Sequence, residues 1–250
     1  MTLIPTLRRL LRATGVVIAF LAGLLITGTL SVLLKPFAPD SVRRILQSAK
    51  RLWCIYICAI LGVRIRQQGT PLSVPGLIVS NHVSWLDIIV LGALGPFGFV
   101  SKYEVAEWPV VGYLASQTGT LFLRRGDRES TRLIASDMTS RLKNGHFLIF
   151  FPEGTSSPGT RVLRFHARLF QPALDAGVGV QAVAVAYRDE ARSVAPFIGD
   201  DEFLPHLWRV MALTEIPVDV LFCEPLKTER QDRKTLSELT HRQVVDALQS

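Results

Sequence analysis

The chain is short of the residues on which several common chemistries depend. Its 250 residues include only three cysteines, Cys54, Cys58 and Cys223. They form neither an even set nor a zinc-ligand spacing, which argues against a disulfide framework and a cysteine metal site. Cys54 and Cys58 share one helix face and read as packed or lipid-facing thiols, so a reduced, cytoplasmic environment is the expectation. His-Glu-x-x-His is missing and the five histidines are scattered, leaving metal-assisted chemistry without a ligand set. There is no Walker-type phosphate loop, no internal repeat and no low-complexity tract. Gly-x-Ser-x-Gly is also absent and no serine is placed to face a histidine, which disfavours a serine hydrolase. The net charge of +7 comes without a helix-turn-helix, zinc-finger or RNA-binding aromatic signature, so nucleic acid is not the expected partner.

What the chain has in excess is apolar residues, 48% of the total, and these concentrate at the N-terminus. Ala13 to Leu34 carries no charge, and roughly 20 apolar residues suffice to cross a bilayer core. A cleaved signal peptide competes, given Arg8, Arg9 and Arg12 in front. However, the run exceeds an ordinary signal core of about 7–15 residues. A second apolar segment, Leu52 to Val63, is too short to span alone. The connection Lys35-Pro36-Phe37-Ala38-Pro39-Asp40 breaks helix. Basic residues flank the first segment on both sides (Lys35, Arg43, Arg44, Lys50 and Arg51 follow it), so charge asymmetry gives no orientation. A helical hairpin dipping into one leaflet fits, with the basic residues among anionic head groups. The division is therefore residues 1–63 as a membrane-associating two-helix segment and 64–250 as a catalytic domain.

Beyond the leader, apolar runs alternate with helical patterns. Strands are expected at 63–67, 77–80, 98–101, 120–123, 147–151, 180–187 and 218–223, and helices at 87–94, 128–143, 167–176 and 202–213. The 128–143 helix would bury Leu133, Ile134, Met138 and Leu142, with Gly145 just past its end. A last helix starts near Thr235 with Glu238 in capping-box position and Leu236, Leu239, Val244, Val245 and Leu248 inward. This alternation predicts an α/β fold with a mostly parallel sheet of about seven strands flanked by helices, preceded by the hydrophobic helical hairpin. In such sheets ligands bind beyond the carboxyl ends of the strands. Asn81-His82, Arg124-Arg125, Pro152 to Thr155 and Tyr187-Arg188 follow four of the expected strands and should share one edge.

The first of these groups, Ser80-Asn81-His82-Val83-Ser84-Trp85-Leu86-Asp87, holds a base and a carboxylate with four residues between them. On a regular helix that separation is about 140° off one face, so His82 must sit in the turn before a helix and Asp87 in its first turn. A carboxylate on the far ring nitrogen fixes the tautomer and stabilises the imidazolium. Ser84 as N-cap with Asp87 as its capping-box partner accounts for the same residues equally well. In Phe150-Phe151-Pro152-Glu153-Gly154-Thr155 proline stops strand pairing, and glycine lets the backbone approach a ligand. Exposed amides there would suit a phosphate or an oxyanion. A plain strand-to-loop turn with a solvated glutamate is the alternative. Arg124, Arg125 and Arg128 form either a phosphate grip or a solvated basic loop.

Together these elements resemble the glycerolipid acyltransferase family that includes 1-acyl-sn-glycerol-3-phosphate acyltransferases. Asn81, His82 and Asp87 match its first motif, and Phe151 to Thr155 its third. Lys102, Pro109, Gly112, Gly119, Phe122 and Arg125 match the second. A two-helix membrane motif, known in the family, resembles what precedes residue 64. Two departures matter. Ser156-Ser157 stands where many members carry an arginine implicated in phosphate binding, with Arg161 or Arg164 as possible substitutes. Ala182 stands where the fourth motif usually has proline. The chain in this respect is similar to a bacterial branch that includes lyso-ornithine-lipid acyltransferases.

The resemblance implies acyl transfer from an acyl-CoA or acyl carrier protein thioester, with no cofactor and no metal, to a lysolipid hydroxyl. The first acceptor is 1-acyl-sn-glycerol 3-phosphate, giving phosphatidate; lyso-ornithine lipid or another lysophospholipid is the alternative. His82 would be the general base and Asp87 its orienting partner, with Asn81, Lys102, Arg125, Glu153, Gly154 and Thr155 on the substrate side. The implied setting is the cytoplasmic face of a bacterial inner membrane. A noncatalytic lipid-binding protein is the rival from another class.

Overall fold

The computed structural model describes residues 3–34, 37–124 and 126–249. Helix α1 (Leu3–Thr29) ends in a π-helical turn over Leu30–Leu34, and α2 (Pro39–Leu61) follows. Then come β1 (Val63–Gln68), β2 (Leu77–Ser80), α3 (Leu86–Leu94), β3 (Gly98–Lys102), α4 (Val111–Gln117) and β4 (Leu121–Leu123). The chain continues through α5 (Arg128–Lys143), β5 (Leu148–Phe150), α6 (Gln171–Ala176), β6 (Val180–Tyr187), α7 (Ala191–Val194), α8 (Phe203–Val210), β7 (Ile216–Phe222) and α9 (Arg233–Gln249).

The sheet order is β1-β7-β6-β2-β5-β3-β4. Every neighbouring pair is parallel except β6 with β7, so the α/β expectation holds. The central strands are buried on both faces, which is why β2 and β5 read as unbroken apolar runs. Alternate residues feed two cores: Ile78 packs toward α2, α3 and α8, whereas Leu77 and Val79 pack toward α5, α6 and α9. Because β2, β4, β5 and β6 run in one direction, their carboxyl ends share one edge.

Asp127 caps α5, its side chain accepting from the amides of Glu129 and Ser130. Gly145 follows the helix at φ 79°, in the left-handed region that favours glycine. Three expectations need correction. Leu133 is 54% exposed, so the buried stripe of α5 is Thr131, Ile134, Met138 and Leu142. The last helix starts two residues earlier than expected, because Asp232, not Thr235, caps it by accepting from Lys234 and Thr235 amides. Its fully buried positions are Leu236, Ser237, Thr240 and Val244, with Leu239, Val245 and Leu248 half-buried.

The N-terminal helices pair through Phe20 and Trp53, whose rings meet edge to face at 5.2 Å, and the Trp53 indole donates to Ala19 O at 2.9 Å. Residues 5–34 form a helical stretch long and apolar enough to cross a membrane. Several of its flanking cations bond backbone carbonyls of the α/β body. Arg8 donates to Ala212 O and Arg12 to Met211 O, while Lys50 donates to Phe97 O and Arg51 to Ala93 O. These four side chains therefore fasten the helices to the α/β body, a use the head-group reading of the sequence did not foresee. Lys35 lies outside the described residues.

Candidate active site

The turn between β2 and α3 carries the centre of the site. His82 Nδ1 lies 2.9 Å from Asp87 Oδ2, and the same oxygen accepts the amides of Val83 at 2.7 Å and Ser84 at 2.9 Å. The other oxygen, Oδ1, accepts the Tyr187 hydroxyl at 2.8 Å. Four donors on one fully buried carboxylate leave it acceptor-only, so Nδ1 carries a proton, and in the neutral ring the lone pair is on Nε2. Burial, then the Asp87 charge, push the Tyr187 phenol well above its ordinary pKa, which keeps it a donor. The capping-box alternative is half realised. Asp87 does hold the Ser84 amide, but the Ser84 hydroxyl is buried without a hydrogen-bond partner. One carboxylate both closes the turn and orients the imidazole.

The turn after β5 closes against the histidine. Phe151 stacks on the His82 ring with centroids 4.1 Å apart and planes at 20°. Glu153 is buried; its Oε1 accepts the His82 amide at 3.0 Å and its Oε2 the Leu163 amide at 3.1 Å. Burial raises its pKa, opposed by those two amides. The Ser157 amide donates to His82 O at 2.8 Å, so the two turns are laced from both sides. Gly154 has φ 72° and its amide donates to Phe151 O. Among the described residues the next two amides, Thr155 and Ser156, have no hydrogen-bond partner, and both residues line the adjoining cavity.

The other expected site residues are placed differently. Asn81 is buried, and its amide group exchanges two bonds with the Val185 backbone, at 2.9 and 2.8 Å. It thus extends the β2–β6 pairing and has no free polar atom turned to a substrate. Lys102, at the end of β3, is exposed and lines the cavity. Arg124 is exposed and lies over the Tyr103 ring at 4.0 Å, outside the cavity lining. Arg125 lies outside the described residues. Neither Arg161 nor Arg164 lines this cavity; Arg161 faces a smaller one beyond Pro158 and Gly159.

Extending from His82 is a cavity of about 750 Å³, within the ordinary range for small-ligand sites. Its walls are apolar side chains from elements far apart in sequence: Phe20, Trp53, Ile57, Ile88, Phe99 and Leu114. Lys50 lies at one part of the wall, and Lys102, Asp201 and Glu202 at others. Sequence reasoning missed this cavity and missed Tyr187 as a partner of Asp87. The only available signal was that Tyr187 ends a strand at the shared edge. Among the described residues no cluster of His, Cys, Asp and Glu has metal-binding geometry.

An acyltransferase family profile matches residues 62–187. The chain is 44% identical over 193 residues to the lyso-ornithine lipid O-acyltransferase of Pseudomonas aeruginosa, covering 76% of this chain and 74% of that protein. It is 40% identical to the protein of the same name from Rhodobacter capsulatus, covering 69% and 65%. Against the 1-acyl-sn-glycerol-3-phosphate acyltransferase of Neisseria gonorrhoeae it is 38% identical, covering 65% of each. The crystal structure of the 1-acyl-sn-glycerophosphate acyltransferase of Thermotoga maritima has the same fold, with a TM-score of 0.65 over 95% of this chain and 96% of that one, at 21% identity.

Proposed function

This chain belongs to the acyltransferase family, and from that premise we propose that it moves a fatty acyl group from a thioester to the free hydroxyl of a lysolipid. The observation that carries this reading is the His82–Asp87 pair, with His82 lining an apolar cavity of about 750 Å³. Nε2 of His82 takes the acceptor's proton as its oxygen attacks the thioester carbonyl. Collapse of the tetrahedral adduct breaks the C–S bond, and the imidazolium returns the proton to the departing thiolate. An ordinary thiol has a pKa near 8.5, so that last transfer is undemanding. The Thr155 and Ser156 amides are the donors assigned to the oxyanion; loss of one such donor typically costs about 10²–10³ in rate. The acyl chain occupies the apolar cavity, each buried methylene contributing about 0.8 kcal/mol.

Lyso-ornithine lipid is the acceptor we favour. Ser156, in place of an arginine, bonds its hydroxyl to Phe197 O, and Glu202 and Lys102 line the cavity, along with an Asp201 that is already paired with Arg209. A carboxylate and a lysine lining one cavity suit a headgroup bearing both an amine and a carboxylate better than a dianionic phosphate. The related P. aeruginosa and R. capsulatus proteins carry that substrate in their names. A specific observation keeps 1-acyl-sn-glycerol 3-phosphate as the second reading: Lys102 is exposed and lines the cavity, and the N. gonorrhoeae relative is named for that acceptor. The donor is acyl-CoA or acyl carrier protein, and the setting the cytoplasmic face of a bacterial inner membrane. This accords with three free thiols and an apolar helix at the N-terminus.

The test is to incubate the purified protein in membranes with a labelled acyl thioester and each lysolipid in turn. Product from lyso-ornithine lipid at a rate well above that from lysophosphatidate is the expected result. Consumption of thioester with neither acceptor would reject the reading.

A further inference from the structure

Helix α8 has two functional faces. On the inner face Phe203 and Leu207 line the cavity. Between them in sequence is His206, fully buried. Its Nδ1 accepts the Trp85 indole N–H at 3.0 Å, and its Nε2 lies 3.1 Å from Pro196 O. A carbonyl only accepts, so Nε2 bears the proton, and the neutral ring holds Trp85 as part of the cavity wall. On the outer face Leu204 and Trp208, one helical turn apart, are 72% and 40% exposed.

Single exposed apolar side chains are ordinary on a soluble surface, so the position of this pair is what matters. The Arg9 guanidinium lies 5.5 Å from the centre of the Trp208 ring. Just past the end of α8, the carbonyls of Met211 and Ala212 accept Arg12 and Arg8. Helix α8 is thereby docked beside the first turns of α1, where Leu7, Leu10 and Leu11 are also exposed. From that level α1 runs on into the apolar stretch long enough to cross a membrane. The outer stripe of α8 therefore continues the apolar surface of α1 at the height of its arginines. For a helix that enters a bilayer just beyond its arginines, that level is the depth of the lipid head groups, where tryptophan concentrates.

We propose that α8 is a second membrane contact, with Leu204 and Trp208 seated in the headgroup–acyl boundary of the leaflet that α1 enters. The wall of the cavity is thereby held at the lipid surface. The inference rests on the membrane reading of α1 but not on the acceptor or the chemistry, and its first test does not read activity. The full-length protein carrying Cys223→Ser and Leu204→Cys is labelled with a polarity-sensitive dye and reconstituted in phosphatidylethanolamine–phosphatidylglycerol vesicles. Cys54 and Cys58 are buried. The expected result is blue-shifted emission, quenched by nitroxide-bearing lipids and shielded from iodide. The same dye at Glu238→Cys, exposed on α9, should remain open to iodide. Iodide access at position 204 in vesicles overturns the proposal. So does shielding from both quenchers, the signature of a protein partner or a second copy. As a second measurement, Leu204→Lys with Trp208→Ser should lower turnover of bilayer-presented lysolipid on the order of tenfold and leave turnover in mixed micelles unchanged. Equal loss in both settings would also overturn it.

Discussion

Asp87 and Tyr187 meet at 2.8 Å across a sequence separation of 100 residues, and through that bond the end of β6 fixes the acid that orients His82. Tyr187→Phe keeps the ring and deletes the donor, leaving a buried carboxylate oxygen without a partner. Such an unsatisfied group costs about 1–3 kcal/mol. The expected outcome is a lower unfolding midpoint together with a fall in kcat at little change in KM. Unaltered kcat in a destabilised variant would show the hydroxyl to be structural only.

His82→Ala should cut acyl transfer by about 10²–10⁴, the usual span for a positioned general base. The side chain is one-fifth exposed, and the backbone bonds to Glu153 and Ser157 survive its loss. The variant should stay folded and membrane-associated, with an unfolding midpoint lowered by the lost bond to Asp87 and the lost stacking on Phe151. Asp87→Asn should lose comparable activity and also stability, because Val83 and Ser84 amides share the oxygen that substitution disturbs.

Glu153 supplies a pH signature. Burial raises its folded-state pKa above the unfolded value, so over that interval the folded protein binds more protons than the unfolded chain. Stability attributable to this group is then fully present below the ordinary glutamate pKa and is lost as pH rises through the raised one. Glu153→Gln removes the titration but also replaces one amide acceptor with a donor, at about 1–3 kcal/mol. Denaturant unfolding against pH should show the wild-type-minus-variant difference shrinking as pH rises through that interval. A pH-independent difference contradicts the assignment.

The cavity should measure the acyl chain. Lys50 contacts Phe97 O beyond the carboxyl end of α3, whereas His82 precedes its start, so the nine residues of α3 set a span of roughly 13 Å. Ala49 lines the part of the cavity next to Lys50. Ala49→Trp should shift preference toward shorter thioesters in a competition assay, by about fourfold for each methylene displaced. Uniform loss across chain lengths would place the acyl group elsewhere.

How far the sequence disclosed these features depends on how local they are. The central strands were legible as buried apolar runs, whereas spacing left a capping box equally open for Asp87, which was paired with His82 only on the three motifs together. Helix α4 was missed because Pro109 and Gly112 interrupt any periodic stripe, and Val110 enters it with φ 66°, a conformation no β-branched residue advertises. Asn81 was placed with substrate because a buried asparagine completing a strand ladder has the same local sequence as one facing a ligand. Tyr187, the cavity and the His206–Trp85 bond arise from contacts across the fold, which no window of sequence contains.

The residue after the third-motif threonine offers a test of acceptor choice. Ser156 is half-buried at the cavity wall, bonded to Phe197 O, and close in sequence to Ser157, whose amide holds His82 O. Ser156→Arg would give up one neutral hydrogen bond, about 0.5–1.5 kcal/mol, and place a guanidinium beside Thr155. Arginine binds phosphate bidentately, whereas the amine of an ornithine headgroup is repelled by it. The variant should therefore gain kcat/KM for lysophosphatidate and lose it for lyso-ornithine lipid, so the ratio of the two moves by at least tenfold, about 1.4 kcal/mol. An unchanged ratio in a folded, active variant would mean that the headgroup is read elsewhere, with Lys102 the next residue to exchange.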